Sequence, residues 1–424
     1  MEKLKKFLSP RRFTLFLGVL VLIISISFIN EPAQSQTQGI VTYIALDVVD
    51  DKIELACSVL APSSGQNAKA NIYKATAKTL AEAVGAMGLQ LGKDLGFAQC
   101  DVVAVGENLL NENLINVFDY FTRTKKIGRN ILLLAFDGKV DEFVQAIIYL
   151  DEEKSLNLSE ILTYNREYLL GIDTSLENFY LGYYGKTGIS LLPKLKLTEE
   201  ETNLGVQVEI SGAENEGSGS KESAGLDESK SSSSSSNSGK KKMFLTNDGT
   251  TSILKNGKKF AELTPEDTKM LNLYLTKAKY GSFTVKDVTD EYYNNAVVVL
   301  SLEDKDVNID YKFKDEKPIV RVKLHLYVKL DEIEEENKNK KLLRRDDELL
   351  TKAVADKLKT LAQDELETIF KKQQTLKADC LNIYSYFEKF QAKKWKNYLN
   401  SISDSEDFLS NITLETDIEI SQKS

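Results

Sequence analysis

The chain has 424 residues, and its formal net charge of −9 argues against nucleic acid as a main partner, because phosphate binding needs a basic face. Its length predicts two or three globular domains, and 42% hydrophobic residues are enough to build cores. One histidine and three cysteines exclude the common zinc motifs and a dense disulfide framework. Cys57, Cys100 and Cys380 are most simply three free, buried thiols, although one long-range bridge also fits the sequence.

The N-terminal segment has the pattern of a membrane anchor. Residues 1–12 form a flank with five lysines and arginines, and residues 13–29 carry no charge. A spanning helix needs about 17–25 apolar residues, whereas the apolar core of a secretory signal has about 7–15. We therefore predict an uncleaved transmembrane signal anchor, with the basic flank in the cytoplasm and the main body outside. A signal cleaved near residues 33–35 is the alternative, and it also exports the main body.

Residues 39–210 are predicted to form an N-terminal α/β domain, because strand-like and helix-like stretches alternate in its first half. Two strands within 40–60 are separated by Asp50-Asp51, which suits a hairpin turn. The stretches that follow are a helix at 71–87, a strand at 101–105, a helix at 110–121, a strand at 131–136, a helix at 140–147 and a later strand at 188–197. The helix at 71–87 is predicted from apolar residues at spacings of four and three.

Residues 211–242 differ in composition from the rest of the chain. They include six consecutive serines, no aromatic residue, and five acidic side chains that balance five lysines. Such a segment cannot bury enough apolar surface to become ordered. The sequence therefore predicts a disordered, serine-rich linker here.

Residues 243–424 are predicted to form a C-terminal α+β region, which could contain two subdomains. Asn256-Gly257 indicates a hairpin, and Thr264-Pro265 has the composition of a helix start. The remaining predictions are a strand at 296–302, a strand with period-two alternation at 320–328, a long helix at 344–376 and a closing strand at 412–420. The overall prediction is an α+β (mixed α/β) fold class: two or three α+β domains with mixed sheets behind an N-terminal membrane helix.

A search for catalytic groups gives negative expectations. His325 lies on the polar face of its predicted strand without an evident orienting partner. The Gly185-Lys186-Thr187 sequence lacks the first glycine of a phosphate-binding loop, since Tyr180 occupies that position. The acidic alternation at 304–310 lacks the central glycine of a calcium loop. We therefore predict no catalytic, cofactor-binding or metal-binding residues, and a protein that is not an enzyme.

One basic segment, residues 389–396, contains four lysines and the single tryptophan. It could contact anionic lipid or an acidic partner. The favoured interpretation is a helix that buries Trp395 and keeps its lysines in solvent. Phe387, Phe390, Trp395 and Tyr398 fall near helical spacing and are predicted to form one face in the core.

Residues 91–147 and residues 379–420 each resemble the Ger(x)C family, the C subunits of GerA-type spore germinant receptors. Residues 91–147 are similar in element order, with Gly106-Glu107 ending a strand and a basic turn from Arg123 to Arg129. Residues 379–420 are similar through an aspartate, an aromatic helix, a Trp-Lys pair and a closing strand. The positions that match there are Asp379, Trp395 and Lys396. The family's lipobox cysteine is missing, and the apolar segment stands in its place.

The resemblance implies a non-enzymatic receptor subunit on the outer face of the spore inner membrane. Its implied partners are two integral-membrane receptor subunits, of the A and B types, and the membrane itself. Neither nucleic acid nor an enzyme substrate is implied. The alternative is a membrane-anchored binding or scaffold protein of the cell envelope that is unrelated to germination.

Overall fold

The computed structural model describes Gly18 and residues 38–60, 70–124, 127–172, 174–201, 205–211, 240–275, 278–334 and 350–423. The predicted basic flank and, except for Gly18, the predicted anchor lie outside these residues, as does most of the predicted linker. Among the described residues, no helix combines the length and apolar character needed to cross a membrane.

The first half of the described chain alternates strands and helices, as predicted. Its strands are β1 (Gln38–Val49), β2 (Lys52–Leu60), β3 (Ala70–Ala77), β4 (Asp94–Gly96), β5 (Val102–Gly106), β6 (Leu132–Asp137), β7 (Ile189–Thr198) and β8 (Gly205–Ser211). Its helices are α1 (Leu80–Leu91), α2 (Glu107–Leu110), α3 (Leu114–Thr124), α4 (Val140–Lys154), α5 (Leu158–Glu167) and α6 (Leu176–Tyr183).

The second half contributes the remaining elements. These are β9 (Lys240–Thr246), β10 (Thr251–Lys255), β11 (Lys258–Leu263), α7 (Pro265–Asn272), β12 (Gly281–Val288), β13 (Ala296–Lys314), β14 (Lys317–Glu334), α8 (Lys352–Leu376), α9 (Ile383–Phe390), α10 (Ala392–Ser401), a 3₁₀ helix (Ser405–Asn411) and β15 (Thr413–Gln422). The fold is therefore α+β with mixed sheets, and the predicted fold class is confirmed.

The larger sheet has the order β11-β10-β7-β6-β5-β1-β2-β3. Its centre is parallel, because β1, β5, β6 and β7 run in the same direction, and antiparallel strands flank both edges. Helices α1, α3 and α6 bury one face, and α4 and α5 cover the other. This three-layer arrangement explains why β5 reads as a continuous apolar run, since both of its faces are covered.

The smaller sheet has the order β12-β13-β14-β15, and its last pair is parallel. The period-two pattern of β14 places Val320, Val322 and Leu324 in the core, while Arg321 and Lys323 face solvent. The apolar stripe of α8 packs into the same core. The alternation predicted at 320–328 is thus confirmed.

Local turn and cap signals are also confirmed. Asp50 and Asp51 both have positive φ, as do Asn256 and Gly257, which is the backbone that a two-residue type I′ hairpin requires. The Thr264 side chain accepts a hydrogen bond from the Asp267 N–H at 3.2 Å, and the Asp267 carboxylate accepts from the Thr264 N–H at 2.8 Å. This reciprocal capping box starts α7 at Pro265.

The helix predicted at 71–87 is wrong in its first half. Residues Ala70–Ala77 form β3, which pairs antiparallel with β2, and only the later part belongs to α1. The Thr79 side chain caps α1 by accepting from the Glu82 N–H at 3.2 Å. The apolar spacing of 71–87 fits a helix, but the ladder with β2 satisfies the backbone hydrogen bonds of a strand instead.

The long helix predicted from 344 begins later, at Lys352. Thr351 has extended backbone, and its side chain accepts from the Val354 N–H at 3.3 Å, which caps α8 at that point. Residues 344–349 lie outside the described residues.

Strand pairing does not follow the predicted boundary at 243. Strands β9, β10 and β11 follow the serine-rich segment in sequence, yet they pair into the larger sheet through β7. The ends of the predicted linker are themselves in strands, because Ser211 ends β8 and Lys240 begins β9 in one antiparallel pair. The reason is that one edge of β7 has backbone hydrogen-bonding groups that β6 does not pair, and β9 and β10 pair with that edge.

Candidate functional site

The carboxyl end of β5 forms a tight turn at Gly106-Glu107. The buried Asp47 carboxylate accepts from the Leu109 N–H at 2.8 Å and from the Asn108 side chain at 3.2 Å. Burial raises the pKa of Asp47, and these hydrogen bonds partly oppose the rise. A Cβ atom at residue 106 would overlap this carboxylate, so the turn needs glycine for close approach.

Glu107 belongs to a four-member charge network. Its carboxylate pairs with Lys259 at 2.8 Å and with the nearly buried Lys194, and Lys194 also pairs with Glu262 at 3.1 Å. Burial would raise the pKa of Glu107, but the hydrogen bonds and charges of the two lysines lower it below its usual value. The network links α2 to β7 and β11. The Gly106-Glu107 position is therefore best explained by a structural role in holding these elements together.

A cavity of about 510 Å³ lies where the two halves meet. Its walls come from α5, α6 and β7 of the first half and from α7 and the start of α9 of the second half. The lining residues that bear on its chemistry are Arg166, Leu181, Asn272, Asp379, Cys380 and Asn382. The Asn272 side chain donates to the Leu169 and Gly171 carbonyls, each at 3.0 Å, and so fixes one wall against the other half.

Asp379 is a buried carboxylate at the start of α9. It accepts from the Ile383 N–H at 2.7 Å and from the Tyr384 N–H at 2.9 Å, and so satisfies two first-turn donors. Burial raises the pKa of Asp379 to about 6, against the lowering effect of these hydrogen bonds. The neighbouring Cys380 N–H donates to the Gln373 side chain at 3.1 Å, which anchors this corner to α8.

Asp379 should make stability depend on pH. Because its carboxyl binds a proton more tightly in the folded chain than in the unfolded chain, its contribution is fully present below about pH 4 and is lost as pH rises through about 6. The free energy of unfolding should fall by on the order of 2 kcal/mol across this window. In Asp379→Asn that component should vanish when denaturant unfolding is followed between pH 4 and 7. Parallel pH profiles for the two proteins would contradict it.

Lys305 is a buried cation that sequence reasoning missed. It is only 4% exposed, and its ammonium donates to the Asn272, Leu273 and Leu275 carbonyls at the end of α7, with the Leu273 distance 3.3 Å. Burial lowers the pKa of Lys305 to about 7. The sequence pattern does not indicate that Lys305 is buried, because a register shift between Leu302 and Asp304 moves residue 305 to the core side of β13.

Aromatic and apolar side chains that are partly or largely exposed lie on and just after α5 and α6 and at Tyr280, and one of them, Leu181, lines the cavity. Tyr164 and Tyr168 stack with ring centroids 4.4 Å apart, and Tyr168 lies 5.5 Å from the Tyr280 ring. Leu181 lines the cavity and is 67% exposed, and Tyr184, three residues on, is 74% exposed. We call these five residues the cleft surface. Large exposed side chains of this kind, where they form a contiguous patch, are candidates for a contact surface.

His325 lies close to two residues of β15. Its Nε2 lies 2.7 Å from the Ser421 Oγ, and its Nδ1 lies 3.7 Å from Glu419, whose side chain is 74% exposed. The three residue types are those of a Ser-His-Glu triad, but 3.7 Å is too long for the hydrogen bond that would orient the imidazole. Sequence reasoning missed the pairing because β14 and β15 are joined only by the fold.

The other candidate motifs from the sequence belong to a turn, a strand and the core. Residues 184–188, which include the Gly185-Lys186-Thr187 sequence, form the turn that leads into β7. Residues 304–310, which carry the acidic alternation, lie within β13. The three cysteines are buried and form no disulfide, and burial raises the pKa of the Cys57 thiol.

The aromatic face predicted at 387–398 is confirmed for three of its four members. Trp395 is 2% exposed, and its ring stacks 4.9 Å from Phe387 and 5.2 Å from Tyr398. Phe390 is an exception, because it is 62% exposed at the end of α9. The helix ends at Phe390 and α10 starts anew at Ala392, so a single helical spacing does not carry across Gln391.

Comparison with known proteins gives two family matches and one structural match. Residues 33–197 match the family described as "Spore germination protein N-terminal domain", and residues 248–422 match "Spore germination B3/ GerAC like, C-terminal". The solved structure described as "Crystal Structure of the GerBC protein" is 14% identical, with a TM-score of 0.46 over 90% of this chain and 97% of that chain. No curated protein matches the chain.

Proposed function

The chain belongs to the Ger(x)C family of spore germination proteins, and from this premise we propose that it is a non-enzymatic, extracytoplasmic subunit of a germinant receptor complex. In this proposal it contributes to nutrient-triggered germination by binding integral-membrane subunits of the A and B types. The family resemblance predicted from residues 91–147 and 379–420 is thereby confirmed, while the partners and the mode of action are the proposed part.

The cleft surface is the observation that best supports a binding role. Interfaces between proteins are enriched in tyrosine and depleted in lysine, and their strongest residues are often aromatic. The cleft surface has four tyrosines, two of which are joined by a hydrogen bond between the Tyr164 and Tyr168 hydroxyls at 2.7 Å. Such prearranged rings lose little side-chain entropy when a partner covers them.

A matched pair of double variants tests this proposal. Leu181→Ser with Tyr184→Ser removes two exposed side chains from the cleft surface. Leu89→Ser with Tyr292→Ser removes the same two residue types at positions that are 86% and 58% exposed elsewhere. We expect the cleft variant to recover about tenfold less of both polytopic partners in pull-downs of the full-length chain from detergent-solubilised spore membranes. The control variant should recover them normally.

Two outcomes would count against the proposal. If neither polytopic subunit co-purifies with the wild-type chain, the cell-envelope scaffold alternative is favoured. If His325→Ala abolishes germination while folding and partner recovery are retained, an enzymatic role must be reconsidered. We expect that variant to germinate normally, because His325 lacks the orienting hydrogen bond of a catalytic base.

Membrane anchoring through residues 13–29 and placement on the outer face of the spore inner membrane belong to the same proposal. The basic flank and apolar run support an anchor with the main body outside the cytoplasm, and the family membership supports a spore membrane.

A further inference from the structure

A second exposed aromatic surface differs in chemistry from the cleft surface. At the end of α9, Phe390 is 62% exposed and Tyr386 is 43% exposed. Lys389 and the α10 residues Lys393 and Lys394 are exposed around them. We call these five residues the lysine–phenylalanine tip. Phe390 is the member of the predicted aromatic face that does not pack in the core.

The tip is held by a stack of rings beneath it. Tyr386 lies flat on Tyr311, with centroids 4.5 Å apart and planes at 6°, and Phe390 follows at 6.1 Å from Tyr386. Behind them, Phe387 packs on the buried Trp395 at 4.9 Å. The exposed rings are therefore presented by a rigid support, and their exposure does not result from a frayed helix end.

The charge of the tip opposes that of the whole chain. Residues 386–396 contain four lysines and one glutamate, whereas the chain has a formal net charge of −9. The cations are close to the rings: the Lys389 ammonium lies 5.2 Å from the Phe390 centroid, and the Lys394 ammonium lies 5.9 Å from the Phe313 centroid. The result is a small lysine-rich and aromatic surface on an acidic protein, bordered beside Lys394 by Asp315 and Glu316 of the turn between β13 and β14.

The combination of lysines and exposed rings favours an anionic lipid surface over a protein as the partner. Lysine is depleted at the centres of protein interfaces, because its strongly hydrated charge is costly to bury there. At an anionic bilayer the same side chain keeps its charge at the headgroups, while neighbouring aromatic rings enter the boundary layer. We propose that the lysine–phenylalanine tip docks on the anionic lipid surface of the membrane, with Phe390 at the headgroup boundary and the lysines against lipid phosphates.

The proposal does not depend on which protein partners the chain binds. It predicts where the folded body touches the bilayer, in addition to any anchor. The observations that support it are the lysine charge, which complements anionic headgroups, and the exposed, supported phenylalanine.

Quenching by labelled lipid tests the contact in the full-length chain. Phe390→Trp places a reporter at the tip, and Tyr292→Trp places one at an exposed position away from it; the native Trp395 is buried and is subtracted as background. The chains are reconstituted into phosphatidylcholine vesicles with or without phosphatidylglycerol, and with a spin label in the headgroup region. We expect quenching at position 390 to be about threefold stronger with phosphatidylglycerol, and weak at position 292 in both lipids.

Charge-reversal variants provide a second test of the lipid contact. Lys389→Glu, Lys393→Glu and Lys394→Glu, added together to Phe390→Trp, should abolish the dependence on phosphatidylglycerol. The control changes three other exposed lysines by the same charge: Lys52→Glu, Lys78→Glu and Lys258→Glu. It should leave quenching intact.

Three results would overturn the proposal. The first is equal quenching at position 390 in both lipids, and the second is no quenching in either. The third is shielding of position 390 that appears only when polytopic receptor subunits are reconstituted with the chain, which would make the tip a protein contact.

Discussion

Trp395→Ala should lower the free energy of unfolding by about 3–5 kcal/mol, because it removes the largest buried side chain of the core beneath the smaller sheet and leaves a cavity. The ring packs among Phe387, Tyr398, Tyr384 and Phe408, with centroids within 5.6 Å, so partial collapse cannot refill the space. Denaturant unfolding of the full-length chain, followed by circular dichroism, measures the change.

Two matched variants make the Trp395 result interpretable. Trp395→Phe keeps an aromatic ring in the cluster and should lose clearly less stability than the alanine variant. Phe390→Ala removes an exposed ring from the preceding helix and should change stability by only about 0.5 kcal/mol. Equal losses for Trp395→Ala and Phe390→Ala would show that the cluster is not the core of this region.

Gly106→Ala should cost about 3 kcal/mol of stability, because overpacking of a closed site forces its neighbours to move. The new Cβ would overlap the Asp47 carboxylate, which holds the start of α2 through the Leu109 N–H. Displacing Asp47 leaves buried polar groups without partners and also disturbs the adjacent Glu107 network. The loss should appear in thermal and in denaturant unfolding.

Gly85→Ala is the control for the Gly106 variant. Gly85 lies in the middle of α1, and nothing lies within 4 Å of the position that its Cβ would occupy. This variant should gain about 0.5–1 kcal/mol, since alanine is the better helix former. If both glycine variants change stability in the same direction, close approach at the Gly106-Glu107 turn is not what requires glycine there.

The sequence by itself determined the features that local sterics control. Asp50-Asp51 and Asn256-Gly257 can adopt positive φ and so make tight hairpins, and Thr264-Pro265 starts a helix. The alternation at 320–328 separates a core face from a solvent face within one strand. The order of elements in 91–147 and 379–420 was enough to identify the family. The turn, cap and alternation signals each lie within a few neighbouring residues, and the family signal is the order of such local elements along the chain.

The tertiary structure alone decided which distant segments meet. Residues 71–87 have a spacing that fits a helix, yet residues 70–77 form a strand because β2 offers a partner. Strands β9 to β11 joined the larger sheet across the predicted boundary because β7 has an edge to complete. Arg166 of α5 and Asp379, which precedes α9, likewise line one cavity although they are far apart in sequence. Such pairings depend on long-range burial and hydrogen bonding, which no local pattern records, so they emerge only when the chain has folded.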